Sequence, residues 1–115
     1  MIHVELTRFK VKEGKFSKVD EWLAFLNKNM TETLLTLEKG KMYVETIFRE
    51  VLNDEEYLYW YSVQGENGQE IEDSNSWIDK RHLQYWDECI DKEFRPVDLE
   101  TKVVMIPESI KQHMT

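Results

Sequence analysis

Three side chains of this 115-residue sequence combine reactive chemistry with an apolar setting: His82, Glu45 and Arg49. His82 shares a stripe with Ile78, Tyr85, Trp86, Cys89 and Ile90 that recurs every three or four residues, which predicts an inward position on a helix. A neutral imidazole there can act as acid, base or ligand. Glu45 sits among apolar residues in the β-rich run Met42 to Leu52, where a carboxylate is costly unless paired. Arg49, two residue pairs along, or His82 above it, would supply the partner. Period-two alternation puts Trp60, Ser62 and Gln64 on the same face as Glu45 and Arg49. Polar groups converging among aromatics describe a small-molecule pocket. The expected site has His82 and Glu45 as catalytic acid and base, Arg49 holding an anionic group, Trp60 and Tyr85 stacking on the ligand, and Ser62 and Gln64 beside them. The same residues also describe structural ion pairs, a satisfied core histidine and a wet dimer interface.

A metal is the second chemistry to weigh, because His3 and Glu5 share one face of the first strand and could join Glu45 and His82 in a two-His, two-carboxylate set. Their spacing forms no metal motif, and no metal or cofactor is assigned. Cys89 is the single cysteine, which excludes an internal disulfide, and its apolar stripe predicts an inert thiol. Trp22, Trp77 and Trp86 are expected to serve as core and contact residues, and Asp87, Glu88, Asp91 and Glu93 as a solvated helix face.

The elements that must position these groups follow from periodicity. Residues 2 to 11 alternate at period two, with Ile2, Val4 and Leu6 on one side; Phe9 and Val11 break the phase, which predicts a bulge or the strand's end near Arg8. Phe16, Val19, Leu23, Leu26, Met30, Leu34 and Leu37 predict one helix of about 20 residues, opened by a capping box at Ser17 and Asp20, laced by Lys28 with Glu32 and closed at Gly40. Asn53-Asp54 predicts a two-residue hairpin turn between Met42–Leu52 and Tyr57–Gln64. That turn places Val44, Thr46, Phe48, Tyr59, Tyr61 and Val63 on one face, and Tyr43, Glu45, Ile47, Arg49, Leu58, Trp60, Ser62 and Gln64 on the other. Asp73, Ser74 and Ser76 are candidate caps for the second helix, and Leu99 to Ile106 is expected as the last strand. The order β-α-β-β-α-β predicts an α+β fold of the ferredoxin-like kind, a four-stranded antiparallel sheet with two helices on one face.

Length and composition predict one domain over residues 1–115, with a core from about 2 to 107 and a polar tail from 108 to 115. The net charge of −8 argues against nucleic acid and anionic membrane as partners. Residues 43 to 98 hold the surplus, 15 acidic against 5 basic groups, so a small anion would depend on Arg49 or Arg8. No apolar run is long enough to cross a bilayer and the N-terminus does not read as a signal peptide, so a cytoplasmic protein is expected.

Two helices cover one sheet face, yet both faces of the hairpin carry bulky residues. The uncovered face calls for a partner, and a homodimer joined sheet to sheet supplies it. This order of elements resembles the dimeric α/β-barrel superfamily. More closely, EWLAFLN, KMYVETIF, YLYWYSVQG and HLQYWDECID look like a family of small bacterial proteins of unknown function, a likeness spanning roughly residues 8 to 107. The resemblance implies the dimeric barrel, and as reaction class a cofactor-independent monooxygenase. Its haem-degrading members imply a set of Asn, Trp and His; Trp60 and His82 fall on the corresponding elements, while the first strand has Leu6 and Thr7 where the Asn is wanted. The function expected is binding, and in its stronger form transforming, a small organic molecule; the alternative is a non-catalytic dimerisation module.

Overall fold

Asn53 and Asp54 both adopt left-handed backbone, with φ of 53° and 63°, the conformation a tight two-residue hairpin demands. From that turn the register runs without a break from Leu52 opposite Glu55 to Val44 opposite Val63. A computed structural model describes residues 2–114; the domain limits expected at Met1 and Thr115 lie outside the described residues. The elements are β1 (His3–Lys10), α1 (Phe16–Lys28), α2 (Met30–Lys39), β2 (Met42–Leu52), β3 (Glu55–Gln64), a 3-10 turn at Ile71–Asp73, α3 (Trp77–Cys89), β4 (Val97–Asp98) and α4 (Glu108–Lys111). The strands form one antiparallel sheet in the order β2-β3-β1-β4, an α+β arrangement compatible with the ferredoxin-like expectation.

The core lies between α1, α3 and one face of the sheet. Val19 and Trp22 from α1, Tyr85 and Cys89 from α3, and Val11, Leu58 and Ile90 are buried together. Trp22 is fully buried and stacks on Tyr85 at 6.3 Å with Trp86 edge-on at 5.9 Å. Ser76 caps α3, its hydroxyl accepting the Ile78 N–H.

Several local expectations are corrected. The single first helix breaks at Asn29, whose φ of −109° and ψ of 33° leave the helical region while its side-chain amide donates to the Phe25 carbonyl. A side chain that competes for backbone acceptors favours such a break. α1 starts after Lys15, which puts Ser17 inside the first turn and leaves the helix without a side-chain cap, and Asp20 turns to Arg49; Glu32 accepts the Trp77 indole N–H instead of meeting Lys28. β1 carries no bulge: it pairs with β3 continuously from His3 to Lys10, and the phase change marks apolar residues moving from one face to the other. The irregularity lies at Tyr43, where β2 shifts register between Met42 and Val44. The last strand is Val97–Asp98 rather than Leu99–Ile106. Leu99 N–H and the Thr101 hydroxyl still reach the carbonyls of Leu6 and Val4, but β1 begins at His3, so the segment outruns its neighbour and Val103, Val104 and Met105 are left exposed. Part of the expected polar tail is the short helix α4.

Candidate functional site

Three cross-strand rows on the helix side of the sheet define where a site can lie. Arg49, Leu58 and Phe9 form one, Ile47, Trp60 and Thr7 the next, and Glu45, Ser62 and Glu5 the third. The first row lies under the core; the third is polar throughout. Polar side chains on the covered face of a sheet need room and partners, and the break at Asn29 supplies the room. α2 buries no residue, leaves Leu34 half exposed and stands off the polar row, held to α3 by the Trp77–Glu32 hydrogen bond of 2.7 Å. The space beneath is an open cleft of about 1350 Å³. Glu5, Thr7, Glu45, Trp60, Ser62 and Gln64 line its sheet wall; Asp79, His82 and Leu83 of α3 and Met30, Leu34 and Leu37 of α2 line the helical side.

The loop after β3 closes one end of the cleft and is tied to the end of α2. Gln69 N–H donates to the Lys39 carbonyl at 2.9 Å and Gly65 N–H to that of Lys41 at 2.7 Å. Gly68 is required there, since a Cβ on it would stand 2.0 Å from the Gly40 carbonyl oxygen.

Two indoles hold the two titratable groups. Trp22 Nε1–H donates to His82 Nδ1 at 3.0 Å, which places the imidazole proton on Nε2. Burial pushes His82 down from 6.5 to about 4, only partly opposed by the negative charge of Asp79, so the ring is neutral at neutral pH. Trp60 Nε1–H donates to Glu45 at 2.5 Å. Burial holds the Glu45 carboxyl above the usual carboxylate range and the charge of Asp79 adds to this, while the Trp60 hydrogen bond opposes it. Gln64 donates to Ser62 at 3.1 Å and to Glu5 at 3.2 Å, tying the remaining polar groups together. His82 and Glu45 are not hydrogen-bonded to each other; the Trp60 ring, 5.6 Å from that of His82, connects them. With its Nδ1 lone pair occupied, His82 offers an N–H donor rather than a base. Glu45, with one oxygen free of described protein donors, is the better proton acceptor.

Five of the seven expected site residues, Glu45, Trp60, Ser62, Gln64 and His82, thus meet in one cleft. The other two lie elsewhere. Arg49 grips buried Glu56 through two hydrogen bonds of 2.9 and 3.0 Å, and also meets Asp20 and the Phe16 carbonyl. Tyr85 is buried under α1 with its hydroxyl donating to Glu21 at 2.8 Å. Arg8 lies against Tyr57 and Phe94. Asp79 is the cleft residue that sequence reasoning passed over, although its place one helical turn before His82 was a usable signal.

Among the described residues no three His, Cys, Asp or Glu side chains gather into a metal-binding group. His3 and Glu5 bond to each other at 2.8 Å at the exposed end of β1. A haem does not fit between Trp60 and His82, whose rings pack directly together. Cys89 is fully buried and burial pushes its thiol up, as its apolar stripe predicted.

A family model described as a family of unknown function, DUF6176, matches residues 2–112, and so every element from β1 to α4. The chain belongs to DUF6176. No curated protein matches it. A role for the DUF6176 cleft therefore has to be argued from its own side chains.

Proposed function

We propose that this DUF6176 protein is a single-domain cytoplasmic protein that binds a small organic molecule in the cleft between the polar row of the sheet and helices α2 and α3. One observation carries the reading: Glu45 and Ser62 occupy the helix side of the sheet, where packing alone would call for apolar residues, and Glu5 continues their row to its exposed end. Within it Glu45 accepts a proton or a hydrogen bond from the ligand, His82 donates from Nε2, and Trp60 presents its ring. Should the molecule be transformed as well as bound, Glu45 is the base. The monooxygenase chemistry of the resembled superfamily rests on likeness of fold, and likeness of fold does not carry a reaction. Among the described residues no helix is long and apolar enough to cross a membrane, which is compatible with this placement.

The test is a thermal-shift screen of small polar and amphiphilic molecules, followed by mapping of hits on the indole N–H resonances. The expected result is a hit that moves the Trp60 indole signal. A broad screen without hits, together with Glu45→Gln and His82→Ala variants that only lose stability, would reject the proposal.

A second reading has its own observation. On the helix-free face Leu6, Phe48, Tyr59 and Tyr61 frame an apolar depression of about 440 Å³, and Phe48 is 54% exposed. A second copy seated there, as in the dimeric barrels, would bury this patch without involving the cleft.

A further inference from the structure

The charges around the cleft point to the chemical class of its ligand. Six carboxylates line it, Glu5, Glu45, Glu70, Glu72, Asp79 and Asp87, against a single Lys92, and that lysine is bonded to Asp87 at 2.7 Å. Nearer the core the acids have their own cations: buried Glu56 and, beside it, exposed Asp20 meet Arg49, while Glu21 meets Lys18. Glu45 and Asp79 have none among the described residues. Glu45 uses one oxygen on the Trp60 N–H, and no described protein donor meets the other. Burial raises the Glu45 carboxyl, and the negative charge of Asp79 lies near enough to raise it further. A neutral His82, fixed by Trp22, adds no positive charge between them. Opposite stand Leu26, Met30, Leu34 and Leu37, an apolar stretch interspersed with the uncharged Asn27, Thr33 and Thr36.

We propose that the ligand is a small organic cation, an amine whose ammonium group meets Glu45 and Asp79 and whose apolar body lies along Leu26, Met30, Leu34 and Leu37. This rests on the cleft being a ligand site and adds the sign of the charge it takes. Trp60 contributes its ring face to the cation, and His82 Nε2–H remains for an acceptor beside the amine. An anion is excluded by the same groups, since Arg49 and Arg8 are committed outside the cleft.

Three probes sharing one body separate the possibilities: phenethylamine, 2-phenylethanol and 3-phenylpropionate, titrated calorimetrically at neutral pH with the Trp60 indole N–H resonance as the reporter of location. Phenethylamine is expected to bind about tenfold or more tighter than the alcohol, and the acid weakest. Glu45→Gln and Asp79→Asn should each lower the amine's affinity far more than the alcohol's, erasing most of the amine's advantage. If the alcohol or the acid binds as tightly as the amine and moves the Trp60 signal, the cation preference is wrong while the cleft reading stands. Binding of none of the three overturns the cation proposal, and only a broad screen that also finds no hit overturns the cleft reading with it. Amine affinity that is unchanged in both folded variants overturns the placement, and if neither variant folds, the order of the three ligands on the native protein still decides.

Discussion

His82 shows how the fold redefines a residue. Its position on an inward helical stripe suggested an acid or base, but the Trp22 N–H occupies the one lone pair that could take a proton, and burial lowers its proton affinity. The consequence is measurable. A histidine whose native value lies near 4 and whose unfolded value is near 6.5 contributes stability that is complete above 6.5 and is lost as pH falls towards 4, because only the unfolded chain takes up the proton in that window. The loss is on the order of 2 kcal/mol by about pH 5. Glu45 acts with the opposite sign: its raised carboxyl stabilises the native state at low pH, a contribution lost as pH rises through its native value. The two contributions run in opposite directions with pH in the native sequence. Denaturant unfolding of Glu45→Gln between pH 7 and 5 should expose the full His82 slope, and adding His82→Gln, whose amide oxygen can still accept the Trp22 N–H, should flatten it. Equal slopes in the single and double variants would show that His82 is not held neutral by the fold.

At the scale of elements, the cleft exists because α2 leaves the line of α1 and the loop after β3 is pinned to its end. Gly68→Ala is the sharpest test of that pin. The new Cβ meets backbone, the Gly40 carbonyl at 2.0 Å, so the loop itself must move and the Gln69 and Gly65 hydrogen bonds loosen. A stability loss of about 1–3 kcal/mol is expected, with faster amide exchange at Gly65 and Gln69. Gly14→Ala is the control: its φ of +81° imposes strain but nothing lies within 4 Å, so a loss of about 1 kcal/mol without any change at the loop is expected. If the two variants behave alike, the loop is not pinned by close approach. The legible elements were those whose signals are local. Asn53-Asp54 specified the hairpin and its register, and Asp73, Ser74 and Ser76 narrowed the start of α3 to three candidate caps, of which Ser76 is the one used, because turns and caps depend on a few adjacent residues. The break at Asn29 was hidden inside an unbroken apolar stripe, since Met30, Leu34 and Leu37 keep helical spacing while facing a cleft instead of the core. The last strand is shorter than composition favours over Leu99 to Ile106, and only tertiary context shows why: β1 begins at His3 and leaves the far end of that segment without a neighbour. For the site, the phase change in β1 was in view, but its meaning, that Glu5 and Thr7 face the cleft, required knowing which face the helices cover.

At the scale of the whole molecule, the helix-free sheet face poses a problem of solubility that a second copy would solve. Phe48 and the half-exposed Leu6, Tyr59 and Tyr61 form its apolar centre, and Val103, Val104 and Met105 lie exposed in the segment that runs past the start of β1. A chain of net charge −8 meeting a copy of itself pays a repulsion that salt screens, whereas the apolar contact itself is not weakened by salt. A dimer of this kind should therefore tighten as ionic strength rises from about 0.01 to 0.15 M, as the Debye length shrinks from about 30 to 8 Å, the reverse of an interface built on ion pairs. Light scattering at micromolar concentration should give twice the monomer mass of 13.9 kDa. Phe48→Glu should return the mass to the monomer value without changing the Trp22–His82 side of the sheet, because it introduces a charge at the centre of the patch and removes nothing from the core. Ligand binding in the cleft should survive that substitution. A native mass of 13.9 kDa at every salt concentration would leave the aromatic face to another use. A dimer that persists in Phe48→Glu would place the contact at the β1 edge instead, where the exposed segment after β4 could add to a second sheet.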